Sequence, residues 1–304
     1  MRKVVIAALA AGVVPGTGTA QEAVRLDEIL VSGGRTPLGV DETGRAHTVL
    51  TREELEAQGV RYVADALRRV PGVAVTRQGG VGGLTQIRVR GAESNQVLVL
   101  IDGIEVAPAA DGELDFGGLQ VAGIERIEVI RGPQSALYGS NAATGVISII
   151  TRRGERGTAR WEAQGEGGSD GTALVRGTLS GGGARWDGAV TASVRRTNGF
   201  NTATGTGDRE GERDGDQNLT VIGRGSWDVT DALSLAGTVR LVDRESDFDS
   251  QAFPFPPDET SGLVVDSDSV TDARDIALGL SGSYAMLDDA LVHELRFEYT
   301  DTQS

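Results

Sequence analysis

The chain has 304 residues, 39% hydrophobic and only 4% aromatic, with 44 Gly, 8 Pro and no Cys. Lys and Arg total 29 against 44 Asp and Glu, a formal net charge of -15. Lack of Cys excludes a disulfide scaffold and any thiolate metal site, and the acidic balance argues against nucleic acid as a partner. No apolar run reaches the ~18–20 residues of a membrane-spanning helix, so any crossing of a bilayer must use strands.

Arg2 and Lys3 precede an apolar stretch over 4–14, which Pro15-Gly16 ends. Gly18-Thr19-Ala20 then supplies small residues for cleavage. Residues 1–20 therefore read as a secretory signal, the bland alternative being a short buried helix. No Cys follows to carry a lipid anchor.

Residues 21 to about 153 read as a mixed α/β domain. Thr51 with Glu54 fits a capping box that opens a helix through Gln58, ended by Gly59. A second helix is expected over 62–70, stopping at Pro71-Gly72. Strands are expected at 86–90, 97–101, 127–130 and 146–151, with turns at Asp102-Gly103 and Arg131-Gly132-Pro133.

After Arg153 the pattern changes to strict alternation. Leu219, Val221, Gly223, Gly225, Trp227 and Val229 share one parity; Thr220, Arg224, Ser226 and Asp228 share the other. The same period of two continues over 233–241, 276–286 and 291–300, which means strands with one apolar and one polar face. Seven strands are expected, beginning near Ala159, Thr172, Arg185, Asn218, Leu233, Arg274 and Ala290. A soluble sandwich also alternates, but its strands are shorter, at about 5–6 residues. Here the strands run roughly 10–13 residues, enough to cross a bilayer when tilted. The segments 198–217 and 246–272 are expected as long polar loops, against tight turns at 230–232 and 287–289. That asymmetry belongs to outer-membrane barrels. Arg195, Arg224, Arg240 and Arg296 all fall on the polar parity, where they would line a wet lumen; His293 is on the apolar parity and is expected near an interface. Seven strands leave open edges, so the chain is expected to be an N-terminal portion of a larger barrel.

Four segments carry a family resemblance: LDEILVS at 26–32, DALRRVPGVAV at 65–75, QIRVRGAESNQVLVLIDG at 86–103 and IERIEVIRGPQSALYGSNAATGVISIIT at 124–151. They resemble the plug of TonB-dependent outer-membrane transporters, with the spacing of the cobalamin-transporting branch. The resemblance implies a mixed α/β plug followed by an antiparallel transmembrane β-barrel, of which this chain holds about seven of about 22 strands. The implied organisation is a signal peptide at 1–20, a TonB-box segment at 21–35, a plug at 36–153 and the first part of the barrel at 154–304.

The resemblance also implies functional residues. Glu28, Ile29, Leu30, Val31 and Ser32 stand at the TonB box, a segment that pairs as a strand with the partner TonB, energised by the inner-membrane ExbB/ExbD complex. The alternative for this stretch is an ordinary first strand of the plug. Leu84, Gln86, Glu93, Asp111 and Gly112 stand at substrate-facing positions, Glu93 departing from a neutral amide. The run Gly79-Gly80-Val81-Gly82-Gly83 lacks a following Gly-Lys-Ser/Thr, so no nucleotide is expected; the resemblance makes it an apical loop of the plug. With no Cys and only two His, any metal in the acidic loops is expected to be a hard cation such as Ca²⁺. The resemblance points to Glu210, Glu212, Asp214, Asp249 and Asp266, with Asn201 replacing a carboxylate and Glu212 replacing an Asp. Their alternative is a pair of solvated acidic loops.

Together these features imply TonB-dependent import of a large scarce nutrient across the outer membrane, cobalamin first and a ferric siderophore second. A passive porin or adhesin is the rival from another class. Catalysis is not expected, because neither His47 nor His293 has a nucleophile motif beside it.

Overall fold

The computed structural model describes residues 29–30, 38–39, 46–106, 112–203, 213–287 and 290–303. Two short strands, β1 (Ile29–Leu30) and β2 (Leu38–Gly39), pair antiparallel at the start. The α/β domain then runs through β3 (Ala46–Thr51), α1 (Arg52–Ala57), α2 (Val63–Leu67), β4 (Val73–Arg77), β5 (Thr85–Val89), β6 (Val97–Ile101), β7 (Ile104–Glu105), β8 (Ile124–Arg131), α3 (Ser135–Tyr138) and β9 (Gly145–Thr151). Five of these strands form a sheet in the order β3-β8-β9-β6-β7, while β4 and β5 form a separate hairpin.

Local chemistry explains these elements. Thr51 Oγ1 accepts from the Glu54 N–H while Glu54 returns the bond to the Thr51 N–H, a complete capping box. Gly59 follows α1 with φ +65. The helix expected over 62–70 is shorter, because only Val63–Leu67 stays regular before Pro71 forces the chain out. β6 and β9, VLVLI and GVISIIT, are buried at every position, as continuous apolar runs require. They form the one parallel pair of the sheet, with Val97 opposite Gly145. Val63, Leu67, Ile87, Val89, Ile127, Val129, Ile147 and Ile149 make the centre of the core.

The second part is a seven-stranded antiparallel meander: β10 (Ala159–Gly167), β11 (Ala173–Gly182), β12 (Trp186–Thr197), β13 (Asp216–Asp228), β14 (Leu233–Gln251), β15 (Val264–Met286) and β16 (Leu291–Gln303). The period of two read from the sequence is the pleat of these strands. In β12, Val190 and Val194 are exposed while Thr191, Ser193 and Arg195 are buried against the α/β domain. Connections at one end, 168–172, 198–215 and 252–263, are longer than those at the other, 183–185, 229–232 and 287–290. Trp161, Trp186 and Trp227 project outward at the short-turn end, Trp186 directly opposite Trp227, as an aromatic girdle at a membrane interface would. His293 lies two residues into β16 at that same end.

One expectation needs correction. The segment 246–272 is not a long loop: β14 continues to Gln251 and β15 begins at Val264, leaving only 252–263 as the connection. Ser, Thr and Asp had suggested a loop, yet cross-strand pairing extends the hairpin well past the ~10 residues a bilayer needs. The paired strands therefore stand above the membrane on the long-loop side.

Candidate functional site

The α/β domain docks on the polar face of the sheet through three polar layers. At the outer end, Tyr62 Oη donates to Asp216 Oδ1 at 3.2 Å, and Arg195 Nη1 and Ser246 Oγ donate to the same carboxylate. Below it, Gln120 Nε2 donates to Asn218 Oδ1 at 2.6 Å, Ser193 Oγ donates to Gln120 Oε1, and Asn218 Nδ2 donates to the Gly118 carbonyl. Lowest, Arg224 Nη1 donates to Asp102 Oδ1 at 2.5 Å, and Thr238 Oγ1 donates to Asp102 Oδ2. Asp102 occupies the turn after β6 with φ +51. All four arginines placed on the polar parity face inward: Arg195 and Arg224 as above, Arg240 to Asp275 at 3.5 Å, and Arg296 beside Gly103. Ile104 seats against Gly279, where any Cβ would lie 2.6 Å from its Cδ1.

The glycine run lies at the outer end of this interface. Gly82 has φ +87, and a Cβ there would overlap Ser246 Oγ and Asp216 Oδ2. Arg244 of β14 ties this run to the next plug loop, donating to the Gly82 carbonyl at 2.8 Å and to Asp115 Oδ2 at 2.6 Å. Between these plug loops and β14–β16 is a cavity of about 350 Å³ lined in part by Leu84, Gln86, Glu113, Arg244 and Phe248.

The positions expected from the resemblance to face a substrate divide accordingly. Leu84 and Gln86 line the cavity together. Glu93 is exposed and lies outside its lining, and Gly112 sits against Asn95 with φ +71. Asp111 lies outside the described residues. Glu113 and Arg244 were not singled out from sequence. Glu113 directly follows the expected Asp111-Gly112, but Arg244 is visible in sequence only as one more inward arginine.

The acidic positions come together in part. At the outer end of β14 the register with β15 slips between Phe248 and Ser250. Such an irregularity re-aims a side chain, and here Asp249 turns inward and is buried. Thr202 bridges two of the carboxylates: its N–H donates to Asp214 Oδ2 at 2.7 Å and its hydroxyl to Asp249 Oδ2 at 3.1 Å. Asn201 Nδ2 donates to Asp266 Oδ2 at 3.4 Å. Burial raises the Asp214 carboxyl above its ordinary range; hydrogen bonds from Thr202 oppose this and the Asp249 charge adds to it. Asp214 Oδ1 is buried with no hydrogen-bond partner among the described residues. Glu210 and Glu212 lie outside the described residues, and among the described ones no three carboxylates converge on one point.

Of the positions expected to form a TonB box, Ile29 and Leu30 form β1, with Ile29 opposite Gly39 and Leu30 opposite Leu38. Glu28, Val31 and Ser32 lie outside the described residues.

A soluble-type domain held by polar contacts on the inner face of an antiparallel membrane sheet defines a plugged barrel of the bacterial outer membrane. Residues 40–146 match the TonB-dependent Receptor Plug Domain. The chain is 35% identical over 264 residues to the vitamin B12 transporter BtuB of Photobacterium profundum, covering 86% of this chain and 43% of that protein. It is 41% identical over 136 residues to the vitamin B12 transporter BtuB of Vibrio vulnificus, 45% of this chain and 22% of that one. In fold it is similar to the siderophore receptor PirA of Acinetobacter baumannii, at 23% identity and TM-score 0.63, covering 84% of this chain and 40% of that one. The ferripyoverdine receptor of Pseudomonas aeruginosa shares the fold at 17% identity and TM-score 0.67, covering 90% of this chain and 36% of that one. Residues 40–146 are thus a plug domain of the TonB-dependent receptor type, and the chain spans less than half the length of these relatives.

Proposed function

We propose that this chain is the plug and first wall of an active importer that takes up cobalamin, with TonB as its energy-transducing partner. The observation that carries the reading is the plug apex: Leu84 and Gln86 open into one cavity against β14–β16, at the outer end of a plug held by polar contacts. A polar interface suits a plug that must move, because each hydrogen bond lost to the wall can be replaced by water at a net cost of about 1 kcal/mol. A porin would have no use for such a plug. Glu28–Ser32 would pair as an added strand with TonB, which is loaded by ExbB/ExbD; a strand shares a pulling force among many backbone hydrogen bonds.

Ca²⁺ would order the outer loops before the nutrient binds. Asp214 and Asp249 would hold it, with Glu210, Glu212 and Asp266 from the same loops, in the oxygen-only coordination this ion prefers. Asp214 Oδ1, with no hydrogen-bond partner among the described residues, supports the fit. The cation would supply positive charge to two carboxylates already crowded by Thr202.

The test is cyanocobalamin binding to the full-length protein with and without Ca²⁺. Calcium-dependent binding supports the reading. Binding of a ferric siderophore, with none of cobalamin at saturating Ca²⁺, would replace the substrate and leave TonB coupling in place.

A further inference from the structure

Arg244 of β14 reaches from the wall into the plug apex, where its side chain is almost fully buried. Nη1 donates to the Gly82 carbonyl at 2.8 Å and Nη2 to Asp115 Oδ2 at 2.6 Å, so one fork holds two different plug loops. A planar guanidinium suits this task, because its donors diverge at a fixed angle where a lysine would offer a single point charge. The loops close tightly around it. A Cβ on Gly117 would lie 2.3 Å from the Gly83 carbonyl oxygen and 2.7 Å from Arg244 Nη1, and one on Gly118 would lie 3.0 Å from Arg244 Cδ.

Asp115 passes the hold on to Thr85. Its Oδ1 accepts from the Thr85 N–H and from the Gly117 N–H, both at 2.8 Å. The Thr85 carbonyl accepts from the Phe116 N–H at 2.9 Å, and its hydroxyl donates to the Gly83 carbonyl at 2.8 Å. Thr85 is fully buried and pinned through its N–H, its carbonyl and its side chain. Its two neighbours in the chain, Leu84 and Gln86, are the residues proposed to meet the nutrient.

We infer that Arg244 is the positioning residue of the plug apex: it locks the loops at 79–83 and 115–118 to β14, so that Leu84 and Gln86 hold their binding arrangement before the nutrient arrives. The inference rests on the importer reading and deepens it. Without the fork, only a fraction of the molecules would present that arrangement, and apparent affinity falls in proportion to that fraction. The loss lies in association, since a ligand once bound still meets the same contacts. A residue that touched the ligand would act on dissociation instead.

The experiment uses the full-length protein and the variants Arg244→Gln, Asp115→Asn and the two combined. Asp115→Asn keeps Oδ1 as an acceptor for Thr85 and Gly117 and removes the charge that Arg244 grips, so it carries the test if Arg244→Gln fails to assemble. Hydrogen exchange of the ligand-free protein is measured first. Amides of 79–86 and 113–118 should exchange roughly tenfold faster in each variant, with β6 and β9 unchanged. Cyanocobalamin association should slow roughly tenfold with dissociation unchanged, and the combined variant should be no worse than Arg244→Gln alone. Unchanged apical exchange, an equal rise across β6 and β9, or faster dissociation at an unchanged association rate overturns the inference. If the wild type binds no cyanocobalamin, the cobalamin reading fails and the exchange result alone decides for or against Arg244.

Discussion

Tyr62 and Asp216 join the plug to the outer wall: the phenol at the start of α2 donates to the carboxylate at the start of β13, 3.2 Å away. Asp216 is two residues along from Asp214, so the wall residue that holds the plug adjoins the loop carboxylate proposed to meet the cation. The Tyr62 ring also has Arg195 over it at 5.5 Å and Arg77 at 6.0 Å, one cation from the wall and one from the plug. One residue of backbone, Gly215, separates that loop carboxylate from the wall residue that contacts the plug.

Removing this contact should loosen the plug in graded fashion. Tyr62→Phe loses one hydrogen bond, about 1 kcal/mol. Asp216→Ala strands the buried Arg195 and should cost roughly 3–5 kcal/mol. Hydrogen exchange of the plug backbone in the full-length protein is expected to rise in the order wild type, Tyr62→Phe, Asp216→Ala.

Gly82 cannot carry a side chain. Gly82→Ala meets both a positive φ and the side chains of Ser246 and Asp216, whereas Gly91→Ala has a positive φ but open space around it. Ligand affinity should fall more than tenfold for Gly82→Ala and change little for Gly91→Ala, with both barrels keeping their heat-modifiable mobility on gels.

Calcium binding should follow the two buried carboxylates. Asp214→Asn and Asp249→Asn each remove one charge from the pair bridged by Thr202, and each should weaken Ca²⁺ at least tenfold as read by terbium luminescence. Unchanged affinity in both would mean that the loops are simply solvated acidic segments.

The lowest layer offers a separate test of docking. Arg224→Ala leaves the Asp102 carboxylate buried with Thr151 and Thr238 as its remaining side-chain partners. Removing one member of a buried pair costs about 3–5 kcal/mol, so the plug should denature at a distinctly lower temperature than in the wild type. The Asp102→Asn, Arg224→Met double variant should recover part of the loss.

Much of this architecture was legible because short-range chemistry and long-range packing agreed. The Thr51–Glu54 box, the apolar runs of β6 and β9, and the alternation from Asn218 onward each state their structure in adjacent residues. The inward arginines were legible for the same reason, since parity alone decides the face. What failed to show was whatever depends on pairing partners. Asp249 points inward only because the register slips beside it, and the outer halves of β14 and β15 look like loop until each is matched with the other. Arg244 was hidden likewise: its importance comes from contact between segments about 130 residues apart.

Deleting residues 28–32 tests the central claim most directly, by measuring binding and uptake of labelled cobalamin in the same cells. Importer function through a TonB-paired strand predicts binding at the wild-type level with uptake abolished. Uptake that survives the deletion, in proportion to outside concentration, would contradict it and make the barrel a passive pore.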